Sequence, residues 1–82
     1  AEAAAAARRA LYLDPQLVVA YVALANARSH TGDIASARRA LRNAELLLSS
    51  LPPDALVAAA DGQSAGRLRQ LVRTHLTLLA AA

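Results

Sequence analysis

The sequence predicts an all-α fold of about four helices, on three observations. The hydrophobic share of 56% is mostly alanine and leucine, with Tyr12 and Tyr21 the only aromatics, a composition that suits closely spaced helices and argues against strands. Apolar residues recur at intervals of three and four from Ile34 to Leu51 and again from Leu68 to Leu79, which gathers them on one side of a helix. Between the helical stretches stand turn signals: Asp14-Pro15, Gly32-Asp33, Pro52-Pro53 and Asp61-Gly62.

The first helix, residues 1–13, rests on propensity, because alanine is the strongest helix former. It stops at Asp14-Pro15. Asp14 is suited to cap a second helix and Pro15 to occupy its first turn, where a missing N–H costs nothing, so the second helix is expected from about Pro15 to His30. Within it Leu17 to Ala25 is an unbroken run of nine apolar residues, well short of the roughly 18 that a membrane span needs. No membrane association is predicted, and a helix apolar nearly all round needs neighbours on both sides.

Gly32 can take the left-handed conformation that ends a helix, and Asp33 can cap the next one through its carboxylate. In that third helix Ile34, Ala37, Leu41, Ala44, Leu48 and Leu51 share a stripe, while Arg38, Arg39, Arg42, Asn43 and Glu45 fall mostly elsewhere and face water. Pro52-Pro53 ends it near Leu51. Residues 52–63 then read as a linker, with Leu56 and Val57 pinning it to the core. Ser64 caps the last helix, expected over 64–80, where Leu68, Leu71, Val72, His75, Leu76 and Leu79 share one face and Arg67, Arg69, Gln70, Arg73 and Thr74 lie off it.

Eighty-two residues make one small domain, and such a chain buries only about 60 to 65% of its unfolded surface. There is no cysteine to staple it. With no charged-then-apolar leader at its start, a cytoplasmic location is expected. The absence of methionine and an opening already helical in character suggest a piece excised from a longer protein. The net charge of +3 is carried by nine arginines against six acids, with no lysine. The arginines are scattered without aromatic platforms between them, so a solvated basic surface is predicted and nucleic acid is not an expected partner.

No catalytic constellation emerges. His30 and His75 lack cysteine partners or clustered carboxylates, so no metal site is predicted. Gly32, Gly62 and Gly66 are too far apart for a phosphate loop, and no serine has a neighbouring base. No cofactor is expected in this chain.

The hairpin from Tyr21 to Ala44 resembles a tetratricopeptide repeat. Tyr21 matches the first aromatic of that pattern, Leu24-Ala25 its Leu-Gly pair, Gly32-Asp33 its turn, Ala37 and Ala44 its two alanines, and Leu41 the large residue between them. Ala3, Ala7, Ala10 and Asp14-Pro15 fit the second helix and close of a preceding repeat. The resemblance implies antiparallel helix hairpins: a single domain over 1–82 with half a repeat in 1–13, a full repeat in 15–51 and a capping helix in 64–80. The small residues Ala25, Ala37 and Ala44 would let helix axes approach to roughly 8 to 9 Å. Arg28 stands where the pattern has a second aromatic, so it must snorkel or meet an acid such as Glu45 or Asp14.

A narrower resemblance runs through Ala10-Leu11-Tyr12-Leu13-Asp14-Pro15, Arg38-Arg39-Ala40-Leu41-Arg42-Asn43-Ala44, Leu51-Pro52-Pro53-Asp54 and Asp61-Gly62-Gln63-Ser64-Ala65-Gly66-Arg67-Leu68. In this order they are similar to the C-terminal tails of CheR-type chemoreceptor methyltransferases, where a tetratricopeptide module follows a catalytic domain using S-adenosylmethionine. The resemblance implies a non-catalytic protein-interaction module whose partner is a chemoreceptor, a signalling protein or its own catalytic domain. Self-association is the alternative. It also carries the concave, partner-binding role to Val19, Val22, Asn26, Ser29 and His30, with Asn26 positioned to hydrogen-bond a peptide. The variant that clamps a terminal carboxylate needs a lysine where this chain has Val22, so an apolar or helical partner is implied.

Overall fold

The structure, a computed structural model, describes residues 2–81, and these form four helices: α1 (Glu2–Leu13), α2 (Val18–His30), α3 (Ile34–Ser49) and α4 (Ala65–Ala80). The fold is all-α. The one β-type pairing among the described residues is an isolated antiparallel bridge between Leu56 and Ser64. Each helix packs on its neighbour in sequence, α1 on α2, α2 on α3 and α3 on α4, with no comparable contact between helices further apart. Local connections of this kind build a stack in which every helix depends on the next.

The α2–α3 turn shows why Gly32 and Asp33 sit where they do. Gly32 has φ +82°. Its N–H reaches the Ser29 carbonyl at 3.1 Å and the Asp33 N–H reaches that of Arg28 at 2.9 Å. This is the pair of bonds that closes a helix whose terminal residue turns left-handed. Asp33 then caps α3, its Oδ1 accepting from the Ser36 N–H at 3.2 Å. Hydrogen bonding from Ser36, hydroxyl first and backbone N–H second, holds the Asp33 carboxyl below its ordinary value of 3.8, with attraction from Arg28 and Arg39 adding to it.

A carboxyl whose folded pKa is depressed stabilises the fold above its unfolded value and loses that contribution as pH falls through the folded one. The stability gap between the wild type and Asp33→Ala should therefore be open at neutral pH and close as the solution is acidified below about pH 4. Denaturation midpoints of both proteins along a pH series measure it. A gap that stays constant to the acid limit would mean that the charge plays no part in the cap.

The second helix starts later than Pro15. Asp14 spends its carboxylate on the Gln16 N–H at 3.1 Å, and the Leu17 N–H closes a separate tight turn on the Asp14 carbonyl at 3.1 Å. Leu17 is extended, at φ −78° and ψ 96°, and precedes α2 without a side-chain cap. That extended residue redirects the chain so that α2 folds back on α1. Tyr21 fastens the turn, its hydroxyl donating to the Pro15 carbonyl at 3.1 Å.

The core runs along α3. Ala25, Ala37, Leu41, Ala44, Leu48 and Ala65 have no exposed surface, and Val72 has almost none. Tyr21 and Leu24 pack on that core from its edge. Several expected faces differ in detail. On α1 the buried positions are Ala4 and Ala7, Ala10 is half-buried, and Ala3 is exposed. On α3, Ala40 joins the buried stripe and Arg38 is half-buried rather than facing water, because α3 packs against both α2 and α4. On α4, Leu71 is 50% exposed, since the helix turns Leu68 and Val72 inward and leaves Leu71 at the rim.

α3 ends at Ser49, two residues before the expected Leu51. The segment that follows is more than a linker. Val57 and Ala60 are buried, whereas Leu56, expected to pin the segment, is 74% exposed. Ala59, Asp61 and Gly62 all have positive φ, 61°, 53° and 79°, so the loop is tightly coiled and delivers Ser64 to cap α4 by accepting from the Arg67 N–H at 3.2 Å. Arg69, expected on the solvent side, reaches back instead. Its Nη2 donates to the carbonyls of Leu48 and Leu51 at 2.9 and 3.1 Å, placing a cation at the negative end of the α3 dipole.

Candidate functional site

A groove of about 230 Å³ opens between α2 and α4, with α3 beneath it. Its floor is Leu41, fully buried, with Leu68 and Val72. One wall is Val22 and Asn26 of α2, and the other is Leu71 and His75 of α4. The local reasons are helical spacing: Val22 and Asn26 lie four apart, as do Leu71 and His75, so each pair shares a face. α2 and α4 stand on the same side of α3, and that brings the two pairs opposite each other.

Two polar groups thus flank an apolar floor. The Asn26 amide offers donors and an acceptor, and the half-buried imidazole of His75 offers a ring nitrogen of either kind. The volume lies below the roughly 300 Å³ at which small-molecule sites begin, so the groove suits one or two side chains of a longer ligand.

Of the five residues expected to bind a partner, this groove contains Val22 and Asn26. Val19 is half-buried and packs on the core, because α2 has neighbours on both sides. Ser29 is half-buried outside the groove. His30 is exposed and held against its own helix, Nδ1–H donating to the Asn26 carbonyl at 2.8 Å. Leu71 and His75 are the additions that a search confined to α2 overlooks. Their spacing from Leu68 and Val72 puts them on the inner face of α4, but which helix that face meets is a matter of tertiary packing.

Arg28 meets neither Glu45 nor Asp14. Glu45 is engaged by Arg73 of α4, Nε to Oε2 at 3.5 Å, and the charge of Arg28 is instead felt at Asp33, across the turn that its own carbonyl closes. Among the described residues no group of three or more histidines, cysteines and carboxylates is placed to hold a metal, and no helix is long and apolar enough to cross a membrane. No family model, curated protein or solved structure matches the chain.

Proposed function

We propose that the chain is a tetratricopeptide-like protein-interaction module, itself non-catalytic, that seats an apolar or helical segment of a partner in the groove between α2 and α4. The single observation that supports this best is the pairing of an apolar floor with two polar rims, Asn26 and His75, in a groove of side-chain size. Neighbour-on-neighbour helix stacking and the fully buried small residues Ala25, Ala37 and Ala44 are in keeping with a repeat architecture.

Within that reading, the resemblance of the segments from Leu11 to Pro15 and from Asp61 to Gly66 makes the parent a CheR-type protein-glutamate methyltransferase of the cytoplasm. The module then docks the enzyme on a chemoreceptor or signalling partner, or regulates its own catalytic domain. Part of that second resemblance has a structural use in this chain: Asp61, Gly62, Ser64 and Gly66 each serve the loop and the start of α4.

Pull-down of receptor and catalytic-domain fragments with the wild type, Val22→Asp, Asn26→Ala and Leu71→Asp tests the proposal. A charge at Val22 or Leu71 should weaken capture by about tenfold or more, as loss of a central contact does, and Asn26→Ala by less. Equal capture by all four proteins would remove the groove from consideration. A second reading, self-association, is favoured by Tyr12 and Leu13, which are 85% and 84% exposed at the end of α1. Sedimentation across a concentration range decides it, and a strict monomer rules it out.

A further inference from the structure

A second groove lies along the α3–α4 seam, and it differs in chemistry. It holds about 530 Å³ between α3 and the C-terminal half of α4, and it shares no lining residue with the α2–α4 groove. Arg38, Arg42 and Leu46 of α3 and Leu76 of α4 are among its lining residues. Arg38, Arg42 and Leu46 stand four residues apart in a straight row, with about 6 Å of rise between successive members.

No ion pair among the described residues uses the charges in this row. Among the described residues the sole ion pair is Arg73 with Glu45, and Glu45, the one acid on this groove, is thereby engaged. Arg38 is half-buried, and its Nε is shut off from water with no hydrogen-bond partner. Its stem is therefore packed, which lowers the freedom its guanidinium loses on meeting an acceptor. Arg39 and Ala35 border an adjoining hollow of about 390 Å³ that again contains Arg38 and Arg42, so the positive surface is continuous. Beyond the arginines the row ends on Leu46, 69% exposed, beside the half-buried Leu76.

We infer that this groove docks an acidic amphipathic helix of a partner protein, with carboxylates four residues apart on Arg38 and Arg42 and an aliphatic side chain four residues further along against Leu46 and Leu76. Planar guanidinium groups match carboxylates two bonds at a time, and the apolar end of the row gives the segment a direction. Nucleic acid would satisfy the arginines but leave Leu46 and Leu76 without a counterpart. The inference stands independently of the α2–α4 groove and of the family reading.

The probe is a fluorescein-labelled helical peptide of about 16 residues, long enough to hold some helix in isolation, carrying two glutamates four apart and a leucine four further on. Fluorescence anisotropy should show saturable binding to the wild type. Replacing both glutamates by glutamine in the peptide, or Arg38 and Arg42 by glutamine in the protein, should weaken binding by about tenfold or more. Leu46→Ser should weaken it separately, whereas Val22→Asp, in the other groove, should leave it unchanged. Circular dichroism checks that each variant is folded, and exposed Arg42→Gln alone carries the test if the half-buried Arg38 proves necessary for folding. Absence of saturable binding to the wild type overturns the inference, as does equal binding of the glutamine peptide. A DNA duplex of about 20 base pairs that binds more tightly than the peptide also overturns it, and gives the row to phosphates instead.

Discussion

Leu41→Ala is expected to lower the stability of this domain by about 2 to 5 kcal/mol, the range for removing a fully enclosed leucine from a core. Leu41 has no exposed surface and belongs to the largest fully buried side chains, with Leu48 and Val72. It lies midway along α3, against which both α2 and α4 pack, so the void would open where three helices meet. Neighbours that are themselves alanines, Ala37 and Ala44, carry only a fixed methyl group and cannot reach into the gap. A chain of this size has on the order of 4 to 12 kcal/mol in total, so this one change could consume most of it. Urea titration should show a lower midpoint at unchanged slope. Leu46→Ala, 69% exposed on the same helix, should stay within about 0.5 kcal/mol. Equal losses in the two variants would be incompatible with the assigned face of α3.

The second large effect belongs to Gly66. A Cβ at this position would stand 3.1 Å from the Pro53 carbonyl oxygen and 3.4 Å from the Pro53 Cβ. That carbonyl also accepts the Gly66 N–H at 2.8 Å, and the proline ring restricts how far it can retreat. Gly66→Val is expected to destabilise by about 1 to 3 kcal/mol through overpacking. Gly66→Ala should lose less, since alanine recovers up to about 1 kcal/mol of helix propensity over glycine. Gly32 makes the useful contrast. Nothing lies within 4 Å of an added Cβ there, but its φ is +82°, so the cost of Gly32→Ala is backbone strain of roughly 1 to 2 kcal/mol. Asparagine tolerates that conformation, so Gly32→Asn should be milder than Gly32→Ala, while Gly66→Asn should be worse than Gly66→Ala. Thermal melts of the five variants separate the two mechanisms. If Gly66→Val melts with the wild type, the Pro53 contact does not hold α4 in place.

Much of the local structure was legible in the residues. Gly32-Asp33 read as a helix stop followed by a cap, and both appear with the bonds the residue types call for. Ser64 likewise caps α4. The differences from local expectation have a common cause. Asp14-Pro15 can open a helix or close an independent turn, and the choice depended on Leu17 extending so that α2 could return along α1. Arg69 carries a charge, which favours water, yet the carbonyls of Leu48 and Leu51 at the end of α3 draw it inward. Leu71 lies beside Leu68 and Val72 in periodicity but at the rim in space.

The candidate groove divides the same way. Val22 and Asn26 were within reach of a repeat pattern read along α2, and Leu71 and His75 were not, because their part depends on α4 standing beside α2 over Leu41. By itself the sequence determined four helical segments, the turn at Gly32-Asp33 and the small residues that allow close approach, since these follow from backbone preferences and spacing within a few residues. Only the tertiary structure decided which helix faces meet, where Arg69 ends and which side chains line each groove. Those outcomes come from contacts between residues far apart in the chain, which spacing along a single helix does not encode.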